Sequence, residues 1–109
     1  MGTYRGGLCW SQTGTGTNGG ATVVQPAAAA GLHYFVTGIQ CSSDAAAVVT
    51  IESPAATVLW QKRYAAAFTM NEQFQPNQIV SATTALIQVK VSASSSHSEA
   101  NIQGYTESN

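Results

Sequence analysis

The sequence predicts an all-β protein: an antiparallel β-sandwich of about seven or eight strands, with an extended N-terminal arm. Three observations predict it. First, apolar and polar residues alternate over short stretches, most cleanly where Ile87, Val89 and Val91 interleave with Gln88, Lys90 and Ser92. Side chains alternate across a strand, so a sheet with one buried face requires this period of two. Second, such stretches recur at near-regular spacing, separated by Ser, Asp, Pro and Asn, which favour turns. Third, no segment carries the apolar spacing of an amphipathic helix. A length of 109 residues suits one core.

The chain divides into an arm over 1–31 and a sandwich domain over 32–109. In the arm, Leu8, Cys9 and Trp10 form a short apolar patch. Residues 13–20, Thr-Gly-Thr-Gly-Thr-Asn-Gly-Gly, have high backbone entropy and little to build a core with. Two readings stay open here: a flexible segment whose apolar tip docks on a partner, or a first edge strand over Leu8–Thr13 followed by a long loop. Residues 21–25 are a short strand ended by Pro26.

Residues 32–51 read as a hairpin around the polar turn Ser42, Ser43 and Asp44. Phe35, Thr37, Ile39 and Cys41 are expected on one face of its first strand, and Val49 and Ile51 on one face of its second. Further strands follow over 57–64, over 68–74 with Phe68 and Met70 inward, over 85–93, and over 99–106 with Ala100, Ile102 and Gly104 inward. Pro54, the Gln75–Gln78 segment, the Ser81–Thr84 bend and the serine loop at 94–98 separate them.

Charged residues make up only 8 % of the chain, against roughly 25 % in an average soluble protein. A surface of Ser, Thr, Gln, Asn and Ala is poorly defended against association, which suits a chain packed against copies of itself or against a large assembly. Net charge is −1, and Lys62 with Arg63 is a pair and not a patch, so nucleic-acid binding has no electrostatic footprint. No apolar run approaches the roughly 20 residues of a membrane span. The opening residues, Met-Gly-Thr-Tyr-Arg-Gly-Gly, lack the apolar core of a signal peptide.

Catalysis finds little support. His33, His97 and the acids Asp44, Glu52, Glu72, Glu99 and Glu107 are scattered and form no HExxH, no His cluster and no paired carboxylates. No Gly-x-Ser-x-Gly elbow occurs. No metal or cofactor is expected, and no enzyme activity. Cys9 and Cys41 are too distant in sequence for a CxxC pattern. They read as two small buried residues, with a disulfide between them as the alternative. The candidates for partner binding are Leu8 and Trp10 on the arm and Trp60 and Tyr64 on the fourth strand stretch, since exposed aromatics fill a partner's pocket or stack on sugars.

Leu-His-Tyr-Phe-Val-Thr-Gly-Ile-Gln at 32–40, Val-Val-Thr-Ile at 48–51, Val-Leu-Trp at 58–60, Thr-Ala-Leu-Ile-Gln-Val at 84–89 and Ile-Gln-Gly-Tyr-Thr at 102–106 follow one another. In this order they resemble a family of small tailed-bacteriophage virion proteins, over residues 32–106. The resemblance implies a β-sandwich, often jelly-roll-like, that decorates or joins parts of a particle without enzyme activity. The expectation is a capsid decoration or cement protein, bound to the major capsid protein or another virion protein. It is expected in the virion, assembled in the host cytoplasm, as a homo-oligomer with a trimer first. The alternative is a receptor- or carbohydrate-binding module of a tail or fibre.

Overall fold

The computed structural model describes residues 9–17, 19–74, 77–93 and 97–108. Nine strands follow in chain order: β1 (Cys9–Gly16), β2 (Thr22–Gln25), β3 (Leu32–Ser43), β4 (Ala47–Glu52), β5 (Val58–Tyr64), β6 (Phe68–Gln73), β7 (Ile79–Val80), β8 (Ile87–Ala93) and β9 (Ser98–Ser108). The described residues contain no helix. Two antiparallel sheets form. The first runs β1-β9-β3-β6, with β7 on the same side of β3 as β6, and the second runs β2-β8-β4-β5. With the two-residue β7 set aside, eight strands divide into two four-stranded sheets in the interleaved order of a jelly roll, the chain changing sheet at every step but β4 to β5.

The most deeply buried large side chains of the core between the sheets are β-branched. Val36 and Ile39 of β3, Val49 and Ile51 of β4, Ile87 and Val89 of β8, and Ile102 of β9 have no exposed surface. Stiff at χ1, such side chains pack well on a pleated surface, and each one fully buried contributes roughly 1.5–3 kcal/mol. The inward phases expected for the strands at 85–93 and 99–106 hold: Ile87, Val89 and Val91 are buried, as are Ala100 and Ile102.

Three expectations change. The first is the hairpin at 32–51. Its two strands do not pair: β3 lies in the first sheet and β4 in the second. The turn after Ser43 therefore carries the chain across the core. A polar turn between two apolar strands looks the same in sequence whether the second strand lies beside the first or opposite it. Only β4 and β5 are consecutive strands that pair with each other.

The second is the phase of β3. Pairing with β9 runs Phe35↔Tyr105 and Val36↔Gly104, then resumes at Gly38↔Gln103, so Thr37 is an extra residue in a bulge. The bulge inverts the alternation. Tyr34 and Val36 point inward before it, Ile39 and Cys41 after it, and Phe35 and Thr37 do not join them on the inner face.

The third concerns residues 9–25, expected in an arm. β1 pairs with β9 along its whole length, and β2 pairs with β8. Over Cys9–Thr13 the edge-strand reading is therefore the one that applies. The strands before residue 31 hydrogen-bond to strands after it, one in each sheet.

Candidate functional site

The outer face of the first sheet collects uncharged polar side chains in rows across four strands. The central row is Thr13, Asn101, Gln40 and Asn71 from β1, β9, β3 and β6. To one side stand Thr15, Glu99, Ser42 and Thr69; to the other, Ser11, Gln103, Gly38 and Gln73. Each belongs to a strand whose alternate residues fill the core: Gln40 lies between Ile39 and Cys41, and Asn101 between Ala100 and Ile102. Within the three rows Glu99 is the one ionisable group, and His97 Nε2 lies 2.8 Å from its Oε2.

A concavity of about 570 Å³ opens over the central row and the row through Glu99. Asn101 is held in place by β1, its amide donating to Thr13 Oγ1 at 2.8 Å and Ser11 Oγ at 3.1 Å. Gln73 donates to Asn71 Oδ1 at 2.8 Å. Gly38 is covered by its neighbours: a Cβ there would stand 2.9 Å from Gln73 Nε2 and 3.3 Å from Gln103 Nε2. The carboxamides of the flanking strands thus lean over the residue that has no side chain. A second hollow of about 420 Å³ adjoins the first at Gln103 and reaches Ser11, Thr37 and Trp10.

The next row along the same face is apolar. Cys9, Tyr105, Phe35 and Val80 stand side by side on β1, β9, β3 and β7. Phe35 and Tyr105 stack with centroids 5.1 Å apart and planes 5° apart, and His33 meets Phe35 edge-on at 6.2 Å. Val80 is 42 % exposed. The face is thus an amide and hydroxyl floor ending in a half-buried aromatic step.

The outer side of the second sheet carries a different polar cluster. Glu52 is buried and accepts hydrogen bonds from the Ala56 N–H at 2.9 Å, Gln88 Nε2 at 2.8 Å and Thr50 Oγ1 at 3.0 Å. Burial disfavours its charged form. The three donors, with the positive charge of Lys90 nearby, outweigh that and hold the carboxyl below its ordinary value. Both carboxylate oxygens are engaged within the fold, and they pin the 53–57 turn to β8.

The residues singled out in the sequence are dispersed. Leu8 lies outside the described residues. Trp10 is half-buried on the inner side of β1, edge-on to Tyr34 at 5.2 Å, and its buried Nε1–H meets no acceptor among the described residues. Trp60 packs edge-on against Phe74 at 5.5 Å, and Tyr64 stacks on Phe68 at 4.0 Å with Lys62 Nζ 5.5 Å from its ring. Both sit where the β5 edge of the second sheet meets the end of the first. The two cysteines are free thiols. Cys41 is buried as expected, and desolvation pushes its pKa up to about 11 against a hydrogen bond with the Asn101 backbone. Cys9 is exposed, because its position on β1 faces outward beside Tyr105. Among the described residues, no group of three or more His, Cys, Asp and Glu is placed to hold a metal ion.

Sequence reasoning did not assemble the amide floor. Its members are polar residues at alternate strand positions, each of which reads singly as solvated. The signal lies in the pairing, which joins residues as distant as Thr13 and Asn101.

No family model, no curated protein and no solved structure matches the chain.

Proposed function

We propose that this chain is a non-catalytic structural protein of a phage particle, a decoration protein that docks on the assembled shell. The observation that carries the reading is the state of the β5 edge. β5 pairs with β4 alone and is the last strand of its sheet. Val58 is 49 % and Leu59 38 % exposed there, beside half-buried Trp60. Lys62 and Arg63 blunt the other half of the strand, as charges on edge strands do. The Val58–Trp60 half is open to a partner strand or an apolar pocket. On a surface so poor in charge, such an edge is a liability for a free monomer and an asset for a component of an assembly. The jelly roll and the resemblance to small virion proteins support the same reading. A protein that binds the assembled shell and not its free subunits stabilises the shell by mass action.

The test is rebinding to purified shells that lack the protein. The parent chain should saturate them at a fixed ratio to the major capsid protein. Leu59→Glu should weaken rebinding about tenfold or more with an unchanged Tm. Absence of the chain from purified particles would sink the reading, and a handful of copies per particle would move it to a tail part. Light scattering of the free protein tests the expected trimer.

A further inference from the structure

We infer that the outer face of the first sheet is a binding site for an uncharged, hydroxyl-rich oligosaccharide, laid across the amide floor with one sugar ring against the Phe35–Tyr105 step. The proposal adds a ligand to the particle role and does not depend on it, since this face points away from β5 and the second sheet.

Chemistry of the floor selects the ligand. A carboxamide presents a donor and an acceptor side by side, and neighbouring hydroxyls of a sugar ring present the complementary pair. Gln40, Asn71, Asn101 and Gln103 bring four carboxamides to one concavity, with the hydroxyls of Thr13 and Ser42 between them; the Asn101 Nδ2 and the Asn71 Oδ1 are engaged within the sheet, so Gln40 and Gln103 offer the full donor–acceptor pairs. Long-range attraction of charged groups is weak over the three amide rows, because Glu99 is the one ionisable side chain in them and lies against His97. Over those rows an acidic polymer finds no lysine or arginine, and a basic one finds a single engaged carboxylate.

Shape and rigidity agree. Gly38, with no side chain, lets the carboxamides of Gln73 and Gln103 close over the middle of the sheet beside the concavity. Its strands are held by the core behind them: Ile39, Ala100 and Ile102 are fixed at 0–2 % exposure directly beneath Gln40 and Asn101. Polar groups placed on rigid strands lose little freedom on binding. Tyr105 is two residues from Gln103 on the same strand face, about 7 Å further along, so a chain of sugars that hydrogen-bonds the amides reaches the aromatic step with its next ring. A ring edge or face packing on C–H groups of a sugar is a familiar use of aromatic side chains beside polar ones. A second copy of this chain could also cover a polar face, and the experiment separates the two.

The test is titration of ¹⁵N-labelled protein with neutral probes, maltohexaose, cellohexaose and a galactomannan oligosaccharide, and with hyaluronan oligosaccharide as the acidic control. One or more neutral probes should shift the backbone amides of residues 38–42, 69–73 and 99–105, with a Kd on the order of 0.1–1 mM. Gln40→Ala with Asn71→Ala should weaken that Kd about tenfold, with Tm unchanged because both side chains are exposed. Phe35→Leu should weaken it while keeping the apolar packing. No shift with any neutral probe at 10-fold the expected Kd overturns the proposal. So does binding of the acidic probe alone, or shifts that map to β5. If the double variant instead changes the oligomeric state in light scattering, the face belongs to a second copy and the proposal fails.

Discussion

Glu52→Ala is the substitution to which the second sheet should be most sensitive. The buried carboxylate accepts from the Ala56 N–H, from Gln88 and from Thr50. Removing it strands three donors. The Thr50 hydroxyl can rotate to another acceptor, but the Ala56 N–H is fixed by the turn and the Gln88 amide by its buried place on β8. The buried Gln88 amide at about 3 kcal/mol and the Ala56 N–H, on an exposed residue that water can reach, at about 1 kcal/mol give a loss of about 4 kcal/mol. Set against a domain stability of roughly 5–15 kcal/mol, that is a large part of the whole. At ~4–8 °C per kcal/mol it lowers Tm by roughly 15–30 °C. Glu52→Gln keeps the shape and one oxygen and exchanges charge-assisted bonds for neutral ones about half as strong, so it should cost only about 1–2 kcal/mol. The pH dependence follows from the direction of the shift. The folded carboxyl titrates below its ordinary value of 4.5. Its contribution is therefore complete above that value and disappears as pH falls through the lower, folded pKa. Urea melts of the parent, Glu52→Ala and Glu52→Gln between pH 3 and 7 measure all of this. The gap between parent and Glu52→Gln should narrow as the pH drops below about 4.5. A Glu52→Ala protein within about 0.5 kcal/mol of the parent at pH 7, the range of an ordinary surface change, would refute the reasoning.

Two further outcomes are expected. Gly104→Ala places a Cβ 2.0 Å from the Phe35 carbonyl oxygen; backbone cannot step aside, so β9 must part from β3 at a cost of about 3 kcal/mol or more, whereas Gly38→Ala meets only the mobile ends of Gln73 and Gln103 and should cost under about 1 kcal/mol, both read by denaturant melts. A thiol reagent at pH 8 should modify one cysteine per native chain, Cys9, because Cys41 is buried with its pKa pushed to about 11; release of both thiols without unfolding contradicts the placement of Cys41 in the core.

The fold class was legible because the core is written in alternation. Ile87, Val89 and Val91 announce one buried face whichever strands flank them. What alternation does not encode is partnership. The segments at 32–43 and 47–52 look like a hairpin by every local sign, yet their partners are β9 and β6 for one, β8 and β5 for the other. The inversion of phase at Thr37 was hidden for a related reason: a bulge adds one residue without changing composition, and Gly38 is the trace it leaves in the sequence. Trp10 illustrates the limit on site reading. Its Gly- and Thr-rich surroundings resemble a tether, but glycines at 14 and 16 lie inside a strand, where Gly14 meets Val23 and Gly16 meets the backbone of Gly20. They serve close approach of two chains and not looseness. The amide floor needed the register of four strands before its members became neighbours.

The position of β9 bears on how the molecule comes to be made. Ser98–Ser108 is the last of the nine strands in chain order, yet it lies between β1 and β3, the strand that begins the sequence of pairings and the longest strand of the sheet. Until it leaves the ribosome, β1 has no strand to pair with and β3 presents one bare edge to solvent. The second sheet has no such dependence, since β2, β4, β5 and β8 are all complete by residue 93. Synthesis therefore completes one sheet before the other, and the nascent chain passes through a stage in which the finished second sheet is faced only by the β3, β6 and β7 part of the first. Pairing partners separated by most of the chain make this closure slow relative to local structure, and a half-built sandwich with bare strand edges is the species most prone to aggregate. A stall or a stop codon at the start of β9 strands the molecule at that stage, because the partners of β1 are residues 98–105.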